Sequence, residues 1–154
     1  MTIDRVTSAD GVELRAFLTE ADLTVAGLDG LSVHLWVERD DTGSITGCAG
    51  YEASSDGDHA LVRSVAVAPD QRGSGAGSRL AMHALRTAAA SGVSRAWLFS
   101  RRSGPFWQKL GFHPAERDEL AAVLAETHQV QLFTRTGQLT HEVAWSRSLD
   151  DLSP

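Results

Sequence analysis

The stretch Val65-Ala66-Val67-Ala68-Pro69-Asp70-Gln71-Arg72-Gly73-Ser74-Gly75-Ala76-Gly77-Ser78 constrains this chain's architecture more than any other. It follows a run, Ala60 to Val67, that is apolar on both faces apart from Arg63 and Ser64, the pattern of a central strand covered on both sides. From Gly75 to Ser91 the period changes, and Leu80, Ala81, Ala84, Leu85 and Ala88 form one helical stripe, with Gly92 where a C-terminal cap belongs. A buried strand feeding a glycine-rich turn that opens a helix has the build of a phosphate cradle. Glycines supply the φ values of a tight turn and remove Cβ atoms, while the free N–H groups and positive dipole of the helix start attract anions. Two familiar phosphate loops are excluded by spacing. Gly77 is followed by Ser78 and Arg79 rather than the Lys-Ser/Thr of a Walker A loop, and Ser78 and Leu80 stand where a dinucleotide GxGxxG needs glycine.

Around this segment strands and helices interleave, which predicts a mixed α/β domain. An opening strand is expected at Thr2 to Val6, and an amphipathic helix at Val12 to Leu23 from Leu14, Phe17, Leu18 and Ala21. A second short helix is expected at Val25 to Leu31, although Gly27 and Gly30 oppose it. Ser32 to Arg39 and Ser44 to Glu52 read as a hairpin around Asp40-Asp41-Thr42-Gly43. Further on come a strand at Arg95 to Ser100, a short helix at Gly104 to Leu110, a helical stretch near Asp118 to Glu126 and a last strand at His141 to Ser148. With 154 residues, 42% of them hydrophobic, one core is expected: a single domain over residues 1–150 and a short tail at 151–154.

Fourteen basic and twenty acidic residues leave a net charge of −6, the wrong sign for gripping phosphate backbones, so no nucleic-acid partner is expected. Asp4, Arg5 and Asp10 deny the first ten residues the apolar core of a signal peptide, and no segment reaches the roughly 20 apolar residues of a membrane span. The expected setting is the cytoplasm, with no membrane partner. Cys48, the only cysteine, lies between Gly47 and Ala49 and reads as a buried, inert thiol. Six histidines show no HxH or HxxxH pairing, so no metal is expected.

The glycine turn resembles the R/Q-x-x-G-x-G/A signature of the GNAT acetyltransferases, with Arg72, Gly75 and Gly77 at the defining positions. A second segment, Gly104-Pro105-Phe106-Trp107-Gln108-Lys109-Leu110-Gly111-Phe112, is similar to that family's A-x-x-F-Y-x-x-L-G-F. The resemblance covers residues 10 to 120 and is finer in Gly50-Tyr51-Glu52, Leu61-Val62-Arg63-Ser64 and Phe112 to Asp118, which look like the arsenic-resistance and phosphinothricin-acetylating subgroup; His128 to Gly137 departs from it. It implies a mostly antiparallel twisted sheet of six or seven strands with about four helices, splayed at the cofactor-binding strand, and acetyl-CoA as co-substrate with no metal.

By the same resemblance, the backbones of Val65 and Val67 would pair with the pantetheine arm, Arg72, Gly73, Ser74, Gly75, Gly77 and Ser78 would line the diphosphate site, and Phe106 would contact the cofactor. The implied reaction is direct transfer to an amine, with a carboxylate as general base and backbone N–H donors for the oxyanion. Glu52 is the expected base, with an ion pair to Arg63 as its other reading, and Val65 the expected oxyanion donor. Trp107 stands where the family usually carries a tyrosine acid, and Tyr51, the only tyrosine, alternates to the face opposite Glu52. Arg63, Arg101 and Arg102 could hold an anionic acceptor, Arg63 and Arg101 being the substrate-binding choice, unless the loop pair is simply solvated. The expected activity is acetylation of a small, anionic, amino-acid-like amine, organoarsenical or phosphinothricin-like compounds included. An acetyl-CoA-binding sensor without catalysis, or a protein acetyltransferase, are the alternatives. Related enzymes imply a homodimer formed through late strands and helices.

Overall fold

The computed structural model describes residues 2–152. Seven strands form one sheet: β1 (Ile3–Arg5), β2 (Val33–Arg39), β3 (Ile45–Ala53), β4 (His59–Val67), β5 (Arg95–Phe99), β6 (His113–Ala115) and β7 (Ala144–Ser148). Five α-helices accompany them: α1 (Gly11–Glu20), α2 (Ala76–Ala90), α3 (Gly104–Lys109), α4 (Arg117–Val123) and α5 (His128–Thr136). The sheet order is β1-β2-β3-β4-β5-β7-β6. Every neighbouring pair is antiparallel except β4 and β5, which run parallel through the α2 crossover.

Strand alternation sorts the core into two faces. Trp36, Ala49, Tyr51 and Val62 pack with Leu80, Ala84, Leu85 and Ala88 of α2 in the largest apolar cluster. The small alanines of the α2 stripe let the helix lie close to the sheet, and burying each leucine contributes about 1.5–3 kcal/mol. On the opposite face Leu14 and Leu18 of α1 pack on Val33, Leu35, Val37 and Cys48. Beside them Leu120 of α4, Leu124 just after it and Val130 of α5 cover Leu61 and Trp97. Between these two clusters lies a polar seam made by Glu52, Arg63 and His128.

The expected helix at Val25 to Leu31 does not form; residues 21–32 are turns and coil. Gly27 takes φ +67° and Gly30 sits against the His128 ring, so a contact about a hundred residues away shapes this loop. Helix α5 and the three-residue strand β6 are additions to the elements expected from the sequence, and the last strand begins at Ala144, after a 3-10 turn at Gln138–His141. Of the expected tail, Asp151 and Leu152 end a 3-10 turn with Leu152 packed on the core, and Ser153 and Pro154 lie outside the described residues.

Candidate active site

The site arises where the sheet stops being a sheet. β4 and β5 pair only over His59–Leu61 with Arg95–Trp97; past that point β5 stays with β7 as far as Phe99, and β4 diverges from it. The register of β3 on β4 shifts between Cys48↔Ala66 and Gly50↔Arg63, so Ser64 and Val65 together face Ala49 in a β-bulge. Ser64 carries φ +60°, a left-handed conformation that costs a non-glycine residue about 1–2 kcal/mol. The buried Cys48 thiol donates a 2.8 Å hydrogen bond to the Ser64 carbonyl, which helps hold the bulge. Burial pushes that thiol's pKa up to about 12, against a weaker pull from the Ala66 backbone, so Cys48 stays protonated.

The divergence opens a cleft of about 720 Å³. Its walls include Arg63, Val65, Val67, Arg72, Gly77 and Phe106, expected from the sequence to be functional, and also Arg101, Arg102 and Trp107. The glycine turn follows: Gly73 and Gly75 each have φ +85°, and Gly75 stands immediately before α2. Gly73, Ser74, Gly75 and Ser78 are exposed rather than part of the cleft wall. Arg72 Nε donates to the Val67 carbonyl at 3.3 Å, tying the turn to the end of β4. Arg79 reaches the Ser74 carbonyl at 3.3 Å and the buried carboxylate of Glu38 at 3.2 Å, bracing the same turn from beneath. The turn thus presents glycine backbone and a helix start to solvent, which fits a diphosphate; the unpaired edge of β4 beyond Leu61 fits an extended amide-bearing arm.

Arg63 is the most unusual group in the cleft. Its side chain is 0% exposed; Nε donates to Ser64 Oγ at 3.1 Å, and one terminal nitrogen lies 3.6 Å from Glu52 Oε1. Both terminal nitrogens lack a hydrogen-bond partner among the described residues. Burial pulls the guanidinium below its ordinary pKa and Glu52 pulls it back, but an arginine stays charged in either case. A buried cation with two idle donor nitrogens is costly unless an anion completes it.

Glu52 sits behind Arg63. Its carboxylate accepts the His128 backbone N–H at 2.9 and 3.1 Å, the His128 ring at 2.8 Å and Ser32 Oγ at 3.4 Å, and its side chain is 2% exposed. It is not among the residues lining the cleft. Two carboxylates line the cleft, the exposed Asp22 after α1 and the more buried Glu142 just before β7; Glu142 accepts Gln138 Nε2 at 2.7 Å and lies 3.5 Å from Arg101 Nε. Sequence reasoning missed Glu142, along with Gln129 and Phe133 of α5 and Ala21–Thr24 after α1. The apolar period of α5 was the one available signal; nothing local marks Glu142. Trp107 is buried, edge-on to Phe106 and Phe112 at 4.9 and 5.4 Å, and Tyr51 is buried on the α2 side, away from Glu52. No group of three or more His, Cys, Asp or Glu among the described residues could hold a metal ion, and no described helix is long and apolar enough to cross a membrane.

Residues 9–112 match the model of the acetyltransferase (GNAT) family, and the chain belongs to that family. The chain is 32% identical over 78 residues to the amino-acid acetyltransferase of Neisseria meningitidis serogroup A, a match spanning 51% of this chain and 18% of that protein. The fold is similar to N-acetylglutamate synthase from Neisseria gonorrhoeae complexed with coenzyme A and N-acetyl-glutamate, with TM-score 0.74 and 21% identity over 96% of this chain and 35% of that one. It is also similar to a GNAT-family acetyltransferase from Staphylococcus aureus Mu50, with TM-score 0.75 and 14% identity over 97% of this chain and 99% of that one. None of these three names speaks of arsenic resistance or phosphinothricin, so the narrower likeness gains no support from them.

Proposed function

We propose that the protein transfers the acetyl group of acetyl-CoA to the amine of a small carboxylate-bearing molecule of amino-acid type, with Arg63 holding the carboxylate. The carrying observation is the buried guanidinium with two unpartnered nitrogens on the cleft wall, a fork that matches a carboxylate's two oxygens. The name of the amino-acid acetyltransferase relative favours the same class, although the chain spans only 18% of that protein.

Acetyl-CoA supplies an activated acyl group, and the chain's own residues do the rest. The backbones of Val65 and Val67 receive the extended arm, and the turn from Arg72 to Gly75, with Gly77 and Ser78, receives the diphosphate. Phe106 packs beside them, and the Val65 N–H, turned by the bulge, faces the developing oxyanion. The amine must lose a proton. We infer that Glu142, the less exposed of the two carboxylates in the cleft wall, accepts it, and that Glu52, expected from the sequence as the base, acts by holding Arg63 in place. Trp107 offers no acid for the departing thiolate; with a thiol pKa near ~8.5 the sulfur leaves without one and is protonated by water. Arg101 contributes by fixing Glu142.

The test is acetyl-CoA turnover against a panel of L-amino acids, organoarsenical amines and phosphinothricin, read by mass spectrometry. An N-acetylated product from a carboxylate- or oxyanion-bearing amine is expected. Absence of turnover across the panel, with acetyl-CoA bound, would overturn the proposal in favour of a sensor.

A further inference from the structure

The polar seam on the sheet's second face does more than neutralise Arg63. His128 opens α5 and makes three different contacts at once. Its backbone N–H donates to both carboxylate oxygens of Glu52, at 3.1 and 2.9 Å, and its ring Nδ1 donates to Oε2 at 2.8 Å. The edge of the ring is pressed onto the loop between α1 and β2: a Cβ built on Gly27 would lie 2.3 Å from His128 Cγ, and one on Gly30 2.8 Å from His128 Cε1. The loop's far side is anchored by Val25 and Leu28 on the α1 cluster, and Ser32, at its end, donates to Glu52 as well.

Each element touched in this way carries part of the cleft wall. The loop begins at Ala21–Thr24, α5 continues into Gln129 and Phe133, and Glu52 backs Arg63; all but Glu52 are lining residues. A ring used only to cap a helix would not need two glycines beneath it, because Thr127 already caps α5 with its own hydroxyl. We propose that His128 is a positioning residue for the acceptor half of the site, locking the 22–32 loop, the first turn of α5 and, through Glu52, the Arg63 guanidinium into one arrangement. The idea rests on the reading of Arg63 as the carboxylate anchor.

The contact is local to the acceptor side, which gives it a signature. In the full-length protein, His128→Ala is expected to raise the acceptor KM about tenfold, with the amino acid of highest wild-type kcat/KM as probe, while leaving the acetyl-CoA KM unchanged. His128→Asn, whose amide can donate from nearly the Nδ1 position, is expected to restore most of that loss. Gly27→Ala, which forces a Cβ onto the ring at φ +67°, is expected to reproduce the defect. Hydrogen exchange with acetyl-CoA bound gives a readout that needs no acceptor: His128→Ala should speed exchange together in residues 22–32 and 128–133, with α2 unaffected. An unchanged acceptor KM in His128→Ala, no rescue by His128→Asn, or exchange that rises in one segment only, overturns the inference. A separate variant, Arg63→Gln, isolates the underlying reading. If it leaves the acceptor KM unaltered, the carboxylate anchor is wrong; if it raises KM and His128→Ala does not, only the positioning role falls.

Discussion

Arg63 and Cys48 show how burial assigns roles to single residues. Both lie in the bulged region of β3 and β4, and each has lost solvent, but the consequences are opposite. The thiol responds by staying neutral, its pKa pushed up to about 12, and serves as a hydrogen-bond donor to the Ser64 carbonyl. Native protein at pH 8 is therefore expected to resist alkylation by iodoacetamide, with complete labelling only in denaturant; intact-mass spectrometry checks both. The guanidinium cannot discharge; one terminal nitrogen faces Glu52 at 3.6 Å, and neither terminal nitrogen has a hydrogen-bond partner among the described residues. Glu52 and Glu142 can then be told apart by kinetics. Glu142→Gln is expected to lower kcat by about a hundredfold with little change in acceptor KM, as loss of a general base does. Glu52→Gln is expected to act mainly on the acceptor KM. The reverse pattern would return the base role to Glu52. From the sequence, Arg63 was legible as an isolated charge in an apolar run; its lack of partners was not, since that depends on where α5 and the loop come to rest.

At the scale of elements, the local signals carried most of the strands and helices but failed at Val25 to Leu31, where the expected helix is a loop. The β2–β3 hairpin, β4, α2, β5 and α3 announce themselves by period and by turn residues, and those signals are carried within each segment. The loop at 22–32 and the start of α5 are shaped by one contact between residues about a hundred positions apart, which no window of sequence contains. Strand β6 is three residues with a proline at its centre and exists only because β7 offers an edge. Two braces at this scale are testable. Helix α1 is tied to β2 by Asp10 and Glu13 around Arg39, at 2.7 and 2.8 Å. The Thr7 N–H holds the Asp10 carboxyl below its usual pKa, Arg39 does the same for Glu13, and folded values below unfolded ones stabilise only while the groups are ionised. That support is present above about pH 4 and is lost as the pH falls through the depressed folded values, so Arg39→Met should flatten the acid limb of the stability curve. Beneath the glycine turn, Arg79→Ala strips the partner from a carboxylate whose side chain is 2% exposed and should cost about 2 kcal/mol in denaturant unfolding, with weaker acetyl-CoA binding. No change in either would show that Glu38 does not depend on Arg79.

For the whole molecule, the decisive event is the parting of β4 and β5 after Leu61, because it converts a continuous sheet into two walls with a cleft between them. One wall gathers Arg72, Gly77, the free edge of β4 and Phe106. The other gathers Glu142, Gln129 and Phe133 from segments that carry no motif. The half proposed to hold the cofactor carries two ordered motifs, whereas the half proposed for the acceptor is assembled by tertiary structure from the loop after α1, α5 and the approach to β7. The family match over residues 9–112 ends before α5 and Glu142, so the acceptor has to be argued from Arg63. The most direct measurement compares kcat/KM for the preferred acceptor amine with kcat/KM for the same molecule carrying a carboxamide in place of its carboxylate. Wild-type protein is expected to favour the carboxylate by about a hundredfold or more, and Arg63→Gln to erase most of that preference. Equal turnover of the two compounds by the wild type would contradict the account.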